Sequence, residues 1–167
     1  MTAVPTAYTL GTSTRTAEEF LACCRAFAIT RIIDVRRFPT SRRFPHFVQA
    51  AFAAFLQAAE IAYVHLGETL GGFRTGGYEA YTATDDFRRG LARLEALLLQ
   101  APGAVVCSER FPWRCHRRFI ARELEARGWA VVHIIDPRRT WVPRAPAGAH
   151  GKDAPGRAAT RDGVDDR

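Results

Sequence analysis

Residues 104–135 read AVVCSERFPWRCHRRFIARELEARGWAVVHII. An apolar run, Ala104 to Cys107, leads into a polar loop. Pro112 suits the first turn of a helix, because the N–H it lacks is one that a helix start leaves unbonded anyway. Gly128 ends the helix near Arg127, and Ala130 to Ile135 is a second apolar run. This stretch therefore reads as strand, helix, strand. The same alternation continues upstream. Tyr8 to Gly11 is a short strand, and Thr16-Ala-Glu-Glu19 is a capping box that opens a helix with Phe20, Cys24 and Phe27 along one face. Arg31 to Val35 is a strand, and Phe47 to Ala59 a helix with Phe52, Phe55, Leu56 and Ala59 on one side. Ile61 to Leu66 is the third strand. Thr84-Asp-Asp starts a helix striped by Phe87, Leu91, Leu94 and Leu98, with two acids where the helix dipole favours them.

Five strands alternating with four helices predict a three-layer α/β domain of Rossmann-like type. Its five-stranded, mostly parallel sheet is covered on both faces. In such sheets ligands bind beyond the carboxyl ends of the strands, where the strand order reverses. That directs attention to segments 11–15, 34–46, 65–83 and 107–118.

The chain has 167 residues, enough for one domain and short of two full-sized ones. The domain is expected over 1–142. From 143 to 167 proline, glycine and arginine replace apolar residues, which predicts a disordered tail. No apolar run approaches the roughly 18 residues of a membrane helix, and the first residues lack a signal-peptide pattern, so a cytoplasmic location is expected. Four cysteines in a chain of this length are read as thiols rather than a disulfide framework.

The formal net charge is +7, and of the 24 basic residues only Lys152 is lysine. Residues 136–167 hold seven basic and five acidic residues, and residues 1–135 hold 17 basic and 12 acidic. Eight of those 17 lie in two loops: Arg36, Arg37, Arg42 and Arg43 after the second strand, and Arg110, Arg114, Arg117 and Arg118 after the fourth. Without these eight the body would be negative. The charge is thus concentrated where a ligand is expected, and arginine grips phosphate in a bidentate fork. Cations at a helix start, where the dipole is already positive, also make sense if an anion sits there. Arg36, Arg42, Arg114, His116 and Arg117, with Ser13, are the expected anion contacts.

Cys107 ends a strand with Glu109 two residues on, and Cys115 sits among arginines, a setting that lowers a thiol pKa. Both read as buried hydrophobes, as a nucleophilic or redox thiolate, or, with His116 and His65, as a metal site. The spacing matches no usual zinc knuckle, and neither a metal nor a cofactor is expected. Cys107 to Arg114 is Cys-x6-Arg, one residue longer than the Cys-x5-Arg loop of cysteine phosphatases. Cys23 and Cys24 read as core. Asp34 reads as a general base or as the residue that orients Arg36, and His65 as an acid/base or structural group. His133 reads as structural. The connection 67–83 combines five glycines with Arg74, Tyr78 and Tyr81 and reads as a substrate lid. It lacks the spacing of a dinucleotide fingerprint.

These residues together resemble the bacterial and archaeal proteins grouped as domain of unknown function 488. The resemblance rests on Thr9-Leu-Gly-Thr-Ser13, on Ile33-Asp-Val-Arg36 with Pro39, Ser41 and Arg42, and on Tyr63-Val-His-Leu66 with Leu70-Gly-Gly72. Cys107-Ser-Glu109, Cys115-His-Arg-Arg118 and the strand from Gly128 to Ile135 complete it. It spans about residues 7–135 and implies one α/β domain with a parallel sheet. The recurring polar residues of the family correspond to Asp34, Arg36, Arg42, His65, Cys107, Glu109, Cys115, His116 and Arg117. The family brings no settled activity. Its usual Thr-Ile-Gly-His-Ser departs here at Leu10 and Thr12.

The expectation is an arginine- and cysteine-lined anion pocket, enzyme-like, for a phosphate-bearing substrate such as a nucleotide or a nucleic-acid end. Cys107 or Cys115 supplies the thiolate, and Glu109, Asp34 or His65 moves protons. The alternatives are a non-catalytic nucleic-acid-binding module and a thiol-based redox or metal sensor.

Overall fold

A computed structural model describes residues 3–143. Strands β1 (Thr6–Gly11), β2 (Arg31–Asp34), β3 (Ala62–His65), β4 (Gly103–Cys107), β5 (Ala130–Asp136) and β6 (Arg139–Trp141) form one sheet in the order β3-β2-β4-β1-β5-β6. The first five are parallel, and β6 runs antiparallel to β5. The α/β class and the parallel sheet are as the sequence predicts, but there are six strands rather than five. The missed strand follows a tight turn in which Asp136 accepts hydrogen bonds from the Arg138 N–H and the Arg139 side chain, the local bonding that makes aspartate a turn residue. Three residues with one large aromatic carry too little pattern to announce a strand. The expected tail lies, from residue 144 on, outside the described residues.

The helices are α1 (Ala17–Ala26), α2 (Gln49–Ala58), α3 (Gly67–Leu70), α4 (Tyr78–Tyr81), α5 (Asp85–Gln100) and α6 (Arg117–Ala126). Thr16 caps α1 and Thr84 caps α5 through their side-chain oxygens, which satisfies N–H groups the first turn leaves open. Alternate strand residues feed opposite faces. Ile33, Val105 and Val131 pack with Leu91 and Leu94 of α5 and Leu124 of α6. Ile32, Ala104, Val106 and Ile134 pack with Phe20 of α1 and Phe52 and Leu56 of α2. Cys23 and Cys24 are fully buried in this second core, as expected, and burial pushes Cys24 up to about 12.

Two helices start later than the sequence suggests. The segment read as a helix from Phe47 is a 3-10 turn, Pro45–Phe47, before α2. Pro112 opens a 3-10 turn, Pro112–Arg114, after which Cys115 is extended (φ −129°, ψ 151°) and α6 begins at Arg117. The chain therefore bends between Arg114 and Arg117. No helix among the described residues is long and apolar enough to cross a membrane.

Candidate functional site

A cleft of about 470 Å³ opens beyond the carboxyl ends of β2 and β4. Its lining comes from residues 36–40 after β2, 72–78 after β3, and 107–109 and 114–116 around the bend before α6. Of the four segments singled out from the sequence, three line it. The fourth, 11–15, supports it from outside: the N–H groups of Thr12 and Ser13 donate to the carbonyls of Cys107 and Ser108, each at 2.8 Å. A Cβ at Gly11 would fall on the Glu109 carbonyl, so glycine is what lets the end of β1 approach that loop.

Cys107 lies at the floor, 1% exposed, and Cys115 is 7% exposed. The bend at Cys115 turns its thiol back toward the end of β4 and Cys107; the Arg117 N–H donates to the Cys115 sulfur at 3.5 Å, and the Cys107 thiol donates to the Glu109 carbonyl at 3.9 Å. Burial alone would raise the Cys107 thiol. The Cys115 hydrogen bond, the Arg117 guanidinium and a backbone hydrogen bond from Glu109 outweigh it, and Cys107 falls below the ordinary thiol range. Cys115 moves the opposite way, pushed up by its hydrogen bond to Cys107 and by burial. The two neighbouring thiols are thus pushed in opposite directions, Cys107 toward ionisation and Cys115 away from it.

His116 also contacts Cys115. Burial, ahead of the neighbouring guanidinium groups, lowers it to about 4, so it is neutral near neutral pH. Its Nε2 lies 3.2 Å from the Val35 carbonyl oxygen and its Nδ1 3.6 Å from the Cys115 sulfur. A carbonyl only accepts, so Nε2 carries the hydrogen and Nδ1 is left as an acceptor facing the thiol. Arg117, at the start of α6, is fully buried. Its Nη2 donates to the Arg110 carbonyl at 2.9 Å, while its Nε and Nη1 have no partner among the described residues.

Several expected site residues stand elsewhere. Asp34 is fully buried, and its carboxylate accepts from the Arg36 N–H, Nε and Nη2 and from the Tyr63 hydroxyl, at 2.7–3.0 Å. Arg36 spends its remaining nitrogen on the Phe47 carbonyl at 2.8 Å and lies over the Phe52 ring. The Asp34 carboxylate is thus bonded to both Arg36 and Tyr63, and every guanidinium nitrogen of Arg36, itself in the cleft lining, has a partner within the protein. His65 Nε2 meets the Arg36 carbonyl oxygen at 2.7 Å and does not line the cleft. Arg117 acts from behind the floor, and Arg42 and Ser13 are absent from the lining. His133 is buried, as its position in the sheet suggested, with Nδ1 hydrogen-bonded to Thr9.

The expected lid is a packed wall. Tyr78 and Tyr81 donate to the carbonyls of Leu70 and Thr69, each at 2.7 Å. Arg74 donates to the Gly71 carbonyl and lies 4.1 Å from the centre of the Tyr81 ring. Tyr78 and Arg74 line the cleft and Tyr81 does not. Arg114, exposed on the rim, makes no side-chain hydrogen bond or ion pair among the described residues, and neither does the Glu109 side chain. Arg37, counted among the clustered arginines but not expected to bind, lines the cleft and donates to the Phe73 carbonyl at 2.7 Å. Phe73, an aromatic of the glycine-rich connection, lines the cleft as well, and so do Phe38 and Thr40, which no sequence pattern marked. No cluster of three or more metal-ligating side chains forms among the described residues.

The family model for the domain of unknown function DUF488 matches residues 16–77 and 73–124. The chain belongs to this family. Every residue that lines the cleft falls inside the span of the DUF488 match, whereas β1, β5 and β6 lie outside it. No curated protein and no solved structure matches the chain.

Proposed function

We propose that the chain is an enzyme that binds a phosphate-bearing small molecule in this cleft and uses the Cys107 thiolate as nucleophile. The observation that carries the reading is the fully buried Arg117 guanidinium, with two unpartnered nitrogens, behind the Cys107 thiol. A buried cation requires a counter-charge, and ionised Cys107 supplies it. The thiolate is the reactive form of cysteine.

Arg114, and Arg37 alongside it, would receive the phosphate. Attack of the Cys107 sulfur on phosphorus forms an S–P bond as the bond to the leaving oxygen breaks. Glu109, acting as general acid, passes a proton to that oxygen. Water, surrendering a proton to the Glu109 carboxylate, then breaks the S–P bond and frees phosphate and the thiolate. The Cys115 thiol and the Arg117 guanidinium are what favour the ionised form of Cys107.

Ultraviolet thiolate absorbance, followed against pH, tests the ionisation. The full chain should show a thiolate forming below the ordinary thiol range that Cys107→Ser removes and Arg117→Met shifts to higher pH. Calorimetry with inorganic phosphate tests the pocket, and Arg114→Ala should weaken binding by about tenfold or more. Titration of Cys107 in the ordinary thiol range would overturn the reading, as would phosphate binding that ignores Arg114.

The thiol–thiol contact favours a second reading, a peroxide-responsive switch. There Cys107 takes an oxygen from peroxide to become a sulfenic acid, and Cys115 displaces water to close a disulfide. Mass spectrometry after peroxide treatment separates the two, because only the switch requires Cys115 to pair. A nucleic-acid-binding module has no use for an ionised buried thiol and is the weakest of the three.

A further inference from the structure

Cys107 and Cys115 line one cleft, with Arg114 on its rim. Cys115 is fixed in place. It is extended between the turn Pro112–Arg114 and the start of α6, and the Arg117 N–H donates to its sulfur at 3.5 Å. It also has a hydrogen acceptor of its own, His116 Nδ1 at 3.6 Å. That nitrogen is free to accept, because Nε2, 3.2 Å from the Val35 carbonyl oxygen, is the one that carries the hydrogen. The imidazole is closely packed: the Tyr78 ring lies 5.0 Å from it, centre to centre, and a Cβ at Gly72 would stand 3.3 Å from Nδ1. Hydrolysis of a phosphate ester employs the arginine rim and Cys107, and leaves the acceptor on Cys115 without a task. A peroxide switch employs the two thiols and, because peroxide is uncharged, leaves the arginines without one. Reduction of an oxyanion by two thiols employs them all.

We infer that the cleft also reduces arsenate, with Cys107 as nucleophile, Cys115 as resolving thiol and His116 as the group that accepts the Cys115 hydrogen. This rests on the anion reading above and on Cys107 as nucleophile, and it adds a second substrate for the same site. Arsenate has the tetrahedral shape and the charge of phosphate, so arginines that receive one receive the other. The difference is that thiols reduce arsenic(V), whereas phosphorus(V) keeps its oxidation state. Attack of the Cys107 sulfur on arsenic forms an S–As bond. An As–O bond breaks and its oxygen leaves as water, with the proton from Glu109. Cys115 then gives its hydrogen to His116 Nδ1, and its sulfur attacks that of Cys107. The S–S bond forms as the S–As bond breaks. The electron pair of the broken bond stays on arsenic, and the proton on His116 passes to an oxygen of the departing arsenite. Two thiols are oxidised to a disulfide and arsenic(V) is reduced to arsenic(III). An external dithiol reopens the disulfide for the next turnover.

The full chain, reduced, freed of reductant and kept without oxygen, is mixed with arsenate. Arsenite is then measured by chromatography and the cysteine pairing by mass spectrometry. Arsenite and the Cys107–Cys115 disulfide should appear in equal amounts, and inorganic phosphate should slow both. Cys115→Ser should release no arsenite. His116→Gln should slow disulfide closure by about a hundredfold, and raised pH, which ionises Cys115 without help, should recover the loss. No arsenite from the parent chain, with phosphate still bound at Arg114, would overturn the reduction and leave the hydrolytic reading standing. A disulfide closed by peroxide but not by arsenate would overturn it in favour of the switch. Arsenite release by Cys115→Ser at the parent rate would overturn the part given to Cys115. Parallel pH profiles for His116→Gln and the parent would overturn the part given to His116. Absence of both arsenite and phosphate binding would overturn the reduction together with the anion site.

Discussion

Arg36 and Arg117 carry the same side chain into the interior and meet different surroundings. Every nitrogen of the Arg36 guanidinium has a partner, two of them on Asp34. Among the described residues Arg117 has one partner and two open nitrogens. A buried guanidinium with a full set of bonds is structural. One with open bonds beside a thiol is a source of positive potential for that thiol. Removing the charge of Asp34 should therefore act on stability: Asp34→Asn leaves Arg36 buried without its counter-ion and should cost about 3 kcal/mol. Urea unfolding checks this, and a loss below about 1 kcal/mol would mean that the pair is not what holds this end of β2.

At the scale of elements, the connection between β3 and α5 is the part that the structure most changes. Its glycines suggest mobility, yet α3 and α4 are tied down by tyrosine hydroxyls and by Arg74, and Leu70 is fully buried. Gly67 shows why a glycine stands at the first residue of α3. A Cβ there would fall on the Arg36 carbonyl oxygen and against the His65 ring. The first obstacle is backbone and cannot rotate away. Gly67→Ala should push α3 off the end of β2 and destabilise the fold by about 2 kcal/mol. A lowered urea midpoint with an unchanged slope is the expected result. Gly76, at the tip, has only open space around it, so the close packing is confined to the base of the segment.

Taken as a whole, the molecule holds two neutral histidines in different places, His133 buried in the sheet and His116 half-buried at the cleft. Burial, reinforced by Arg117, lowers His133 to about 3, and burial lowers His116 to about 4. In the unfolded chain each titrates near an ordinary value of about 6.5. Between those values the unfolded chain binds more protons than the folded one, so stability rises with pH there. It should be complete above about pH 6.5 and fall as the pH drops toward the folded values. Thermal melting from neutral to acid pH should show this decline, and His116→Gln combined with His133→Asn should flatten it. An unchanged slope in the double variant would assign the acid sensitivity to other groups.

The layers of the fold were legible in the sequence because their signals are local. The capping threonines Thr16 and Thr84, the apolar stripe from Phe87 to Leu98 and the apolar runs of β4 and β5 each sit within one element, where spacing along the chain is spacing in space. The concentration of eight arginines in two loops was legible too, and so were both cysteines of the cleft. What each group does there was not. Arg36 finds its last bond at Phe47, Cys115 reaches Cys107 only because the chain bends after Pro112–Arg114, and Phe38 meets Phe73 from another connection. The sequence by itself determined an α/β sheet with a charged end. Only the tertiary structure decided which charges are consumed by the interior and which face a ligand, because burial and hydrogen-bond partners depend on residues distant along the chain.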